Sequence, residues 1–567
     1  MGREKGNRAL ASDLERHEAA ATAPVVESAS QDKVLDEKYA DGNLKEINAA
    51  SVALAAAVAA QKPSLVSKNM LKLYCIMALG YLVSTMNGFD SSLMGAINAM
   101  ESYQASFNLS GAGSTTGIIF IIYNLGQIAA FPFCGFFADG YGRRKCIFVG
   151  MAVVLIGTAV QTAAHTKDQF MGGRFVLGFG AAIASGAGPA YVVELAHPAY
   201  RGTMAGMYNN FWWLGNILAG WTTYGSDLHL KSSWAWRTPT LVQAGLPSVV
   251  MIFILFFPES PRWLIAHDRP EEALAVMAKY HGDGDDQSHI VQLQYREIIE
   301  QMKLYKASSA FFSPSENAWY DFKELGNTRP ARYRLFMVVA MSFFGQWSGN
   351  NVVSYFMPAM FGAAGISDPS TQLLLNAINP IFSMLAAIYG ATLLDKLGRR
   401  VMLLAGLTGS LVTYCMLTGF TAGSESKPDL SYGVIVSIYL FGIIFSWGFT
   451  PLQTLYAVEC LENRTRAKGS GLNFVFLNIA MVVNTYGISI GIERIGWRLY
   501  LVYIGWICVE IVIIYLFFVE TAGKTLEELS DIFAARNPRK ASTKRTAIAV
   551  DGRGGVLAVS DDAKESL

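Results

Sequence analysis

The sequence has few charged residues for its length. Only 16% of its 567 residues are Asp, Glu, Lys or Arg, whereas soluble proteins carry about 25%. The 45 Lys and Arg nearly equal the 44 Asp and Glu, so no basic surplus is present to bind nucleic acid, and that class of partner is excluded. The hydrophobic fraction is 52% and the mean hydropathy is +0.30. This balance predicts a chain that lies largely in a lipid bilayer rather than a row of soluble domains.

Patterns typical of metal sites, disulfide frameworks and catalysis are also missing. The six cysteines lie in or beside apolar stretches without a CxxC spacing, at Cys75, Cys134, Cys146, Cys415, Cys460 and Cys508. Such cysteines are typical of small core residues. The sequence contains no recognisable nucleophile–base pair and no cluster of metal ligands. We therefore expect the protein not to be an enzyme and to need neither a cofactor nor a metal.

The chain does not open with a cleavable signal peptide. Its first 66 residues are polar and of mixed charge, and their one apolar run, 49–60, is too short to span a bilayer. We expect 1–66 to be a disordered cytoplasmic tail and 519–567 to be a second cytoplasmic tail.

Apolar runs of about 20 residues, the length that a helix needs to cross a bilayer, recur between the tails. They predict twelve membrane-spanning helices, at 71–97, 117–138, 145–164, 170–193, 204–224, 239–257, 335–361, 372–394, 401–422, 432–458, 469–492 and 498–518. The predicted fold is an all-α membrane protein with a six-helix bundle at 67–257, a linker with short helices at 258–334, and a second six-helix bundle at 335–518.

The loops between the predicted helices differ in charge. Counted to the first residue of the next helix, the four short loops after helices 2, 4, 8 and 10 hold ten Lys and Arg residues, whereas the six opposite loops together hold six. Since Lys and Arg accumulate in cytoplasmic loops, the linker and both termini are predicted to be cytoplasmic.

The two halves repeat short motifs in the same order, the second copy about 260 residues after the first. The pairs are DGYGRR (139–144) with DKLGRR (395–400), Glu194 and Arg201 with Glu459 and Arg466, and PESPRW (258–263) with VETAGK (519–524). Internal repeats of this kind build transporters in which two bundles rock around a central site.

These motifs resemble those of the sugar porter branch of the major facilitator superfamily, over about residues 70–530. GQWSGNNVVSYFMP (345–358) and TPLQTLYAVE (450–459) most resemble fungal lactose permeases and cellodextrin transporters. The resemblance implies a monomeric plasma-membrane protein that moves a sugar, with protons, by alternating access. The sequence departs from the family at VETAG (519–523), where most members have PETKG, and at Gly345, where a first Gln commonly precedes Gln346.

The charged residues within the predicted helices include Asp90 and Arg174. A charge in the bilayer costs at least about 2.5–3.5 kcal/mol, so it indicates a function. Asp90 in helix 1 and Arg174 in helix 4 are expected at a similar depth. In proton-coupled members of the resembled family, the Asp at this position carries the proton and the Arg is its partner. The alternatives are a purely structural ion pair and an Asp that faces a water-filled vestibule.

A sugar presents hydroxyl groups around two flat apolar faces, so its site requires amides and a few aromatic rings between the repeats. Gln346 with Asn350, and Asn351 with Tyr355, are spaced to share faces of helix 7. The predicted substrate-binding residues are Asn209, Asn216, Gln346, Asn350, Asn351, Tyr355, Asn379, Trp447, Gln453 and Asn478. For any single Asn, the alternative is a hydrogen bond between helices.

Three positions where this sequence has a smaller residue than the resembled family indicate the size of the substrate. The resembled family has Gln where Asn209 and Asn216 stand, and Gly345 replaces a further Gln. These differences predict a wider site and a disaccharide such as lactose or cellobiose. The alternatives are a hexose transporter, coupled or facilitative, and a sugar sensor that does not transport.

Charged residues cluster at the predicted cytoplasmic ends of the helices. In the resembled family they form ion pairs that hold the two bundles together on the inside, each worth about 1 kcal/mol or less. The predicted gate comprises Asp139, Arg143, Arg144, Glu194, Arg201, Glu259, Arg262, Asp395, Arg399, Arg400, Glu459, Arg466 and Glu520. The alternative is simple anchoring of the topology by positive charge.

Overall fold

The computed structural model describes residues 67–560 except 110, 311–322, 425, 463–464, 523, 525, 544–545 and 551–555. The predicted tail 1–66 and the part 311–322 of the predicted linker lie outside the described residues.

The first half contains six long helical stretches, which overlap the six predicted ones. Helices 1 to 6 span Lys68–Ile97, Ser114–Gly140, Arg143–Thr162, Lys167–Leu195, Arg201–His229 and, in two pieces, Trp234–Val242 and Gly245–Ile254. Glycine allows close packing of helix 4: a Cβ on Gly178 would lie 2.1 Å from the Tyr123 carbonyl oxygen, and one on Gly180 would lie 2.7 Å from the Val154 nitrogen. Helix 4 therefore packs against the backbones of helices 2 and 3.

The second half repeats this arrangement. Helices 7 to 12 span Arg329–Trp347 with Asn350–Ala363, Pro369–Leu397, Arg399–Ser424, Ser431–Gly448 with Leu452–Cys460, Arg466–Ile495 and Leu499–Phe517. The twelve helices confirm the predicted fold class. Three of them are broken, however, whereas the sequence predicted them as continuous.

The breaks have local causes. Helix 7 is interrupted at Ser348 and Gly349, where Gly349 has a φ of 94° that other residues rarely adopt. Helix 10 is interrupted before Pro451, which has no N–H to donate to the preceding turn.

Apolarity alone marks most of these helices as membrane-spanning. Within the described residues, nine segments are long and apolar enough to cross a membrane. One of them, Lys468–Phe517, contains both helix 11 and helix 12. Helices 5 and 7 are the two that are not included; both carry predicted substrate-binding amides.

The two bundles meet along helix 2 with helix 11 and helix 5 with helix 8. Several contacts between them lie at the ends of the helices away from the linker, a side that we call the far face. There Ser489 Oγ donates to the Gly113 carbonyl oxygen over 2.8 Å, and the Phe120 ring stacks on Phe356 at 5.1 Å. The opposite side is called the linker face.

The segment between the two bundles contains three α-helices among the described residues. They span Pro261–Ala266, Pro270–His281 and His289–Ala310 and share a small apolar core that includes Leu264, Met277 and Val291.

The segment after helix 12 contains structure that the sequence analysis did not anticipate. Helices Leu526–Ala534 and Pro538–Thr543 are followed by β1 (Thr546–Val550), which pairs antiparallel with β2 (Val556–Ser560). The first of these helices docks on helix 7, where Arg334 donates to Ser530 Oγ over 3.0 Å.

Candidate functional site

The break in helix 7 brings two predicted substrate residues together. Gln346 and Asn351 are 6% and 2% exposed, and Asn351 Nδ2 donates to Gln346 Oε1 over 3.3 Å. The expected pairing of Gln346 with Asn350 on one helical face is wrong, because the break rotates the second piece relative to the first. A pair of amides therefore lies across the break.

Neighbouring helices hold this break by hydrogen bonds to its backbone. The Tyr414 hydroxyl donates to the Gly349 carbonyl oxygen over 2.7 Å, and Asn484 Nδ2 donates to the Gln346 carbonyl oxygen over 2.5 Å. Tyr503 in turn donates to Asn484 Oδ1 over 2.6 Å. The Gln346 carbonyl group, freed by the break, needs such a partner inside a membrane, whereas the Gly349 carbonyl group also accepts from the backbone N–H groups of Val352 and Val353. Sequence reasoning missed all three residues, because each lies more than 60 residues from the break.

The space beside Gly345 is not empty. A Cβ on Gly345 would lie 2.3 Å from Gln453 Nε2, so the Gln453 side chain occupies the position beside this glycine. This corrects the expectation that Gly345 simply enlarges the site. An amide is present there, but it comes from helix 10.

Several buried polar atoms in the second bundle have no hydrogen-bond partner among the described residues. They are Asn350 Oδ1, Asn379 Oδ1, Ser383 Oγ and Asn478 Oδ1. Asn478 does donate through Nδ2 to the Phe474 carbonyl oxygen over 2.9 Å. Because unpaired buried polar atoms are costly, these groups are suited to a ligand rich in hydroxyls, or to water.

The remaining predicted substrate residues differ in their surroundings. Asn216 is buried and Asn209 is exposed, both in helix 5. Tyr355 packs edge-on against Phe120 at 5.7 Å, across the two bundles. Trp447 lines an apolar groove of about 450 Å³ between helices 8 and 10. None of the other predicted substrate residues lines this groove.

Asp90 and Arg174 are both buried in the first bundle, at 0% and 2% exposure. They do not form an ion pair. Gln243 Nε2 donates instead to Asp90 Oδ1 over 2.5 Å, and Asp90 Oδ2 has no partner among the described residues. The Arg174 guanidinium lies over the Tyr123 ring, 5.2 Å from its centroid. The sequence analysis missed Gln243, which lies 153 residues from Asp90.

The charges at the linker face pair within each bundle. Arg143 contacts Asp139 at 3.1 Å and Glu194 at 3.2 Å, and Arg399 contacts Glu459 at 3.0 Å. Arg201 and Arg466 interact electrostatically with Glu194 and Glu459 of their own bundles, and Arg262 lies near Arg201. The side chain of Asp395 lies outside the described residues.

Two glutamates cap the helices that begin with the repeated GRR motifs. Glu259 accepts from the backbone N–H groups of Arg143 and Arg144 at 3.1–3.3 Å. Glu520 does the same for Arg399 and Arg400, at 2.8 and 3.0 Å. A carboxylate is stabilised at a helix N-terminus, although burial raises the pKa of Glu259. Gly142 and Gly398, the glycines of the two GRR motifs, allow the carboxylates to approach closely.

Two bundles of six helices, with repeated charged motifs at one face and a set of buried amides in the second bundle, define a membrane transporter of the major facilitator type. The chain belongs to the sugar transporter family: the family model described as "Sugar (and other) transporter" matches residues 75–533. It is thus an integral membrane protein of a family of transporters rather than enzymes.

Curated relatives agree with this assignment. The chain is 28% identical over 447 residues to the MFS-type transporter criB of Aspergillus cristatus, covering 79% of this chain and 90% of that protein. It is 28% identical to a high-affinity glucose transporter of Kluyveromyces lactis, covering 83% and 87%. It is 27% identical to a quinate permease of Neurospora africana, covering 83% and 90%. These names support a fungal sugar porter but not a specific lactose or cellodextrin type.

Solved structures support the fold. The inward-open xylose transporter XylE from E. coli matches with a TM-score of 0.66 at 20% identity, covering 81% of this chain and 99% of that chain. A partially occluded inward-open form of XylE matches with a TM-score of 0.64 at 17% identity, covering 78% and 98%.

Proposed function

We propose that the protein is a proton-coupled sugar transporter of the plasma membrane that works by alternating access, with a disaccharide such as lactose or cellobiose as its substrate. The observation that carries the proposal is the buried set of amides around the break in helix 7. Gln346 and Asn351 face each other there, and Asn350 keeps an unpaired oxygen. Amides that can both donate and accept suit the hydroxyl groups of a sugar.

Proton coupling is supported by the surroundings of Asp90. Its carboxyl group is fully buried, contacts a neutral amide and leaves one oxygen unpaired. A buried carboxyl without an ion-pair partner favours its protonated form. Arg174 is close enough to interact with it electrostatically. Movement of Arg174 toward Asp90 would favour release of the proton in another state of the cycle.

A disaccharide is supported by the spread of unpaired polar groups over three helices. Asn350 belongs to helix 7, Asn379 and Ser383 to helix 8, and Asn478 to helix 11. One sugar ring would engage Gln346, Asn351 and helix 5, and the other would meet helices 8, 10 and 11.

A hexose is the second candidate, because one structural observation favours it. Gln453 fills the space beside Gly345 and so reduces the extra room that a second ring requires. Two of the relatives are named for transport of glucose and quinate, so these two compounds are suitable substrates to test beside the disaccharides.

We further propose that the linker face is cytoplasmic, as are both termini, and that the protein acts as a monomer. The charged residues of this face would then form the inner gate. The Arg143–Glu194 and Arg399–Glu459 pairs occupy equivalent places in the two bundles. When the linker face closes, the arginines of each bundle would exchange these partners for glutamates of the other bundle. Together with the contacts at the far face, this orientation corresponds to a state closed to the outside.

Transport by the purified protein in vesicles tests the proposal. Labelled lactose, cellobiose, glucose and quinate are offered with and without an inward proton gradient. We expect uphill accumulation of a disaccharide only with the gradient. Accumulation of glucose without disaccharide binding supports the hexose candidate. Equal uptake with and without the gradient contradicts proton coupling, and sugar binding without uptake identifies a sensor.

A further inference from the structure

Helix 12 carries a buried acid that neither the repeated motifs nor the proposed proton site includes. Glu510 is 0% exposed in the helix Leu499–Phe517, which is otherwise uncharged. Its Oε2 lies 2.8 Å from the hydroxyl oxygen of Ser348, the residue at the break in helix 7. An ionisable group inside a membrane is costly and indicates a function.

The hydrogen bonds of Ser348 indicate whether the Glu510 carboxyl group is protonated. The Ser348 hydroxyl oxygen also contacts the Phe344 carbonyl oxygen, which can only accept. A serine hydroxyl has a single hydrogen to donate. If Glu510 were ionised, Ser348 would face two acceptors and could satisfy only one. If Glu510 is protonated, its O–H donates to Ser348 Oγ, and Ser348 donates to Phe344.

The described residues around Glu510 supply no compensating charge. Among them, its hydrogen-bond partner is Ser348 on helix 7, and the Trp506 side chain of its own helix lies nearby. The phenols that hold the break are engaged elsewhere: Tyr414 on helix 9 donates to Gly349, and Tyr503 on helix 12 donates to Asn484 of helix 11. A buried carboxylate without a cation would be strongly destabilised. The other oxygen, Oε1, has no hydrogen-bond partner in the part of the chain that the structure describes, as suits the carbonyl oxygen of a neutral acid.

We propose that Glu510 carries a bound proton and that this protonated carboxyl group positions the break of helix 7 for sugar binding. It is a second protonation site, in the bundle opposite Asp90. Ser348 lies two residues from Gln346 and three from Asn351, so the bond from Glu510 acts on the segment that holds both amides. Glu510 is thus a positioning residue that acts through Ser348. Its effect on sugar rests on the proposed function, whereas its protonation does not.

Loss of this proton would turn the Glu510–Ser348 hydrogen bond into a competition between two acceptors for one hydrogen. The break would lose one of its fixed contacts, and sugar affinity would fall as the pH rises. Glutamine in place of Glu510 retains an N–H that can donate to Ser348 at every pH. The variant Glu510→Gln therefore keeps a hydrogen-bond donor but removes the titratable acid, whereas Glu510→Leu removes both.

The first test measures sugar affinity against pH in an Asp90→Asn background, which removes the titration of Asp90. We expect the affinity of this parent for the transported sugar to fall at least about fivefold between about pH 7 and pH 9.5, while the Glu510→Gln derivative changes less than about twofold. The Glu510→Leu derivative is expected to bind weakly at both pH values. Identical pH profiles for the parent and the Glu510→Gln derivative would overturn the positioning role.

The second test needs no variant and no sugar. Dicyclohexylcarbodiimide adds the O–H of a protonated carboxyl group across its C=N bond, and the O-acylisourea then rearranges to a stable N-acylurea. Mass spectrometry of the labelled wild-type protein is expected to find this adduct on Glu510 at neutral pH, and less of it at alkaline pH. Methyl methanethiosulfonate labelling of Cys460, a buried cysteine of the same bundle, reports access of small reagents to the interior. Labelled Cys460 with unlabelled Glu510 would refute the bound proton. A labelled Glu510 in a protein that binds no sugar would refute only the proposed function.

Discussion

Gln243 Nε2 donates a hydrogen bond to Asp90 Oδ1 over 2.5 Å, which joins helix 6 to helix 1 in the core of the first bundle. The carboxyl group is therefore held by a neutral amide, while Arg174 rests on the Tyr123 ring. An amide stabilises the carboxyl in either protonation state, whereas a nearby guanidinium favours ionisation. If Arg174 replaced Gln243 as the main partner of Asp90, release of the proton from Asp90 would be coupled to movement of helix 4.

Neutralisation of Asp90 should separate coupling from movement of sugar. Asp90→Asn keeps the shape and the contact with Gln243 but carries no proton. We expect it to abolish accumulation of sugar against a gradient while counterflow exchange remains measurable. The measurement is uptake in vesicles with and without a proton gradient. Normal uphill accumulation by this variant would show that Asp90 is not the coupling site.

The amide pair across the break should contribute to affinity. Loss of one buried hydrogen bond to a sugar hydroxyl costs about 1–3 kcal/mol. Gln346→Ala or Asn351→Ala should therefore raise the KM for the substrate at least several-fold. The control is Asn473→Ala, which removes a bond of 2.6 Å between Ser342 and Asn473 that joins two helices. That variant should lower thermal stability and leave KM near its original value; unchanged KM in all three variants would contradict a binding role for the pair.

The sequence predicted the helices well because the bilayer imposes their length and apolarity. It did not predict the break in helix 7, because Gly349 permits the break but the residues that stabilise it are distant in the chain. Asn484 satisfies the Gln346 carbonyl group, which a continuous helix would have paired itself, and Tyr414 adds a bond to the Gly349 carbonyl group.

The candidate site was predicted in part for the same reason. Gln346 and Asn351 were identified from a motif, but their mutual contact requires the φ of 94° at Gly349. Gln243 could not be assigned to Asp90 without knowing how helices 1 and 6 pack. Glu510 had a signal, since it is a single acid in an apolar helix, and the criterion applied to Asp90 would have found it.

The position of Gln453 changes the test of substrate size. Gln in place of Gly345 would meet Gln453 Nε2, because even a Cβ would lie 2.3 Å from it. Gly345→Gln should push this side chain into the site and raise the KM for a disaccharide more than that for glucose. The compensating double variant Gly345→Gln with Gln453→Gly moves the amide from helix 10 to helix 7. It should recover most of the lost affinity, and failure to recover would mean that Gln453 is needed in its own place.

His197, between helices 4 and 5, should make the free energy of unfolding depend on pH. His197 is 0% exposed, and its Nδ1 accepts from the Ala199 N–H over 3.1 Å. Burial, and then the neighbouring His281, lower the pKa of His197 from 6.5 to about 4. Protonation would remove the acceptor that the Ala199 N–H uses.

The sign of this dependence follows from linkage. Between about pH 6.5 and pH 4 the unfolded chain binds a proton at this position that the folded chain does not, so stability falls as the pH falls. The loss should be about 1–3 kcal/mol. His197→Asn retains a side-chain acceptor that does not titrate, so its Tm in detergent should fall less than that of the wild type between pH 7 and pH 5. His289→Asn, at an exposed position of the linker, should keep the wild-type dependence. Equal losses of Tm in all three proteins would show that the titration of His197 is not linked to unfolding.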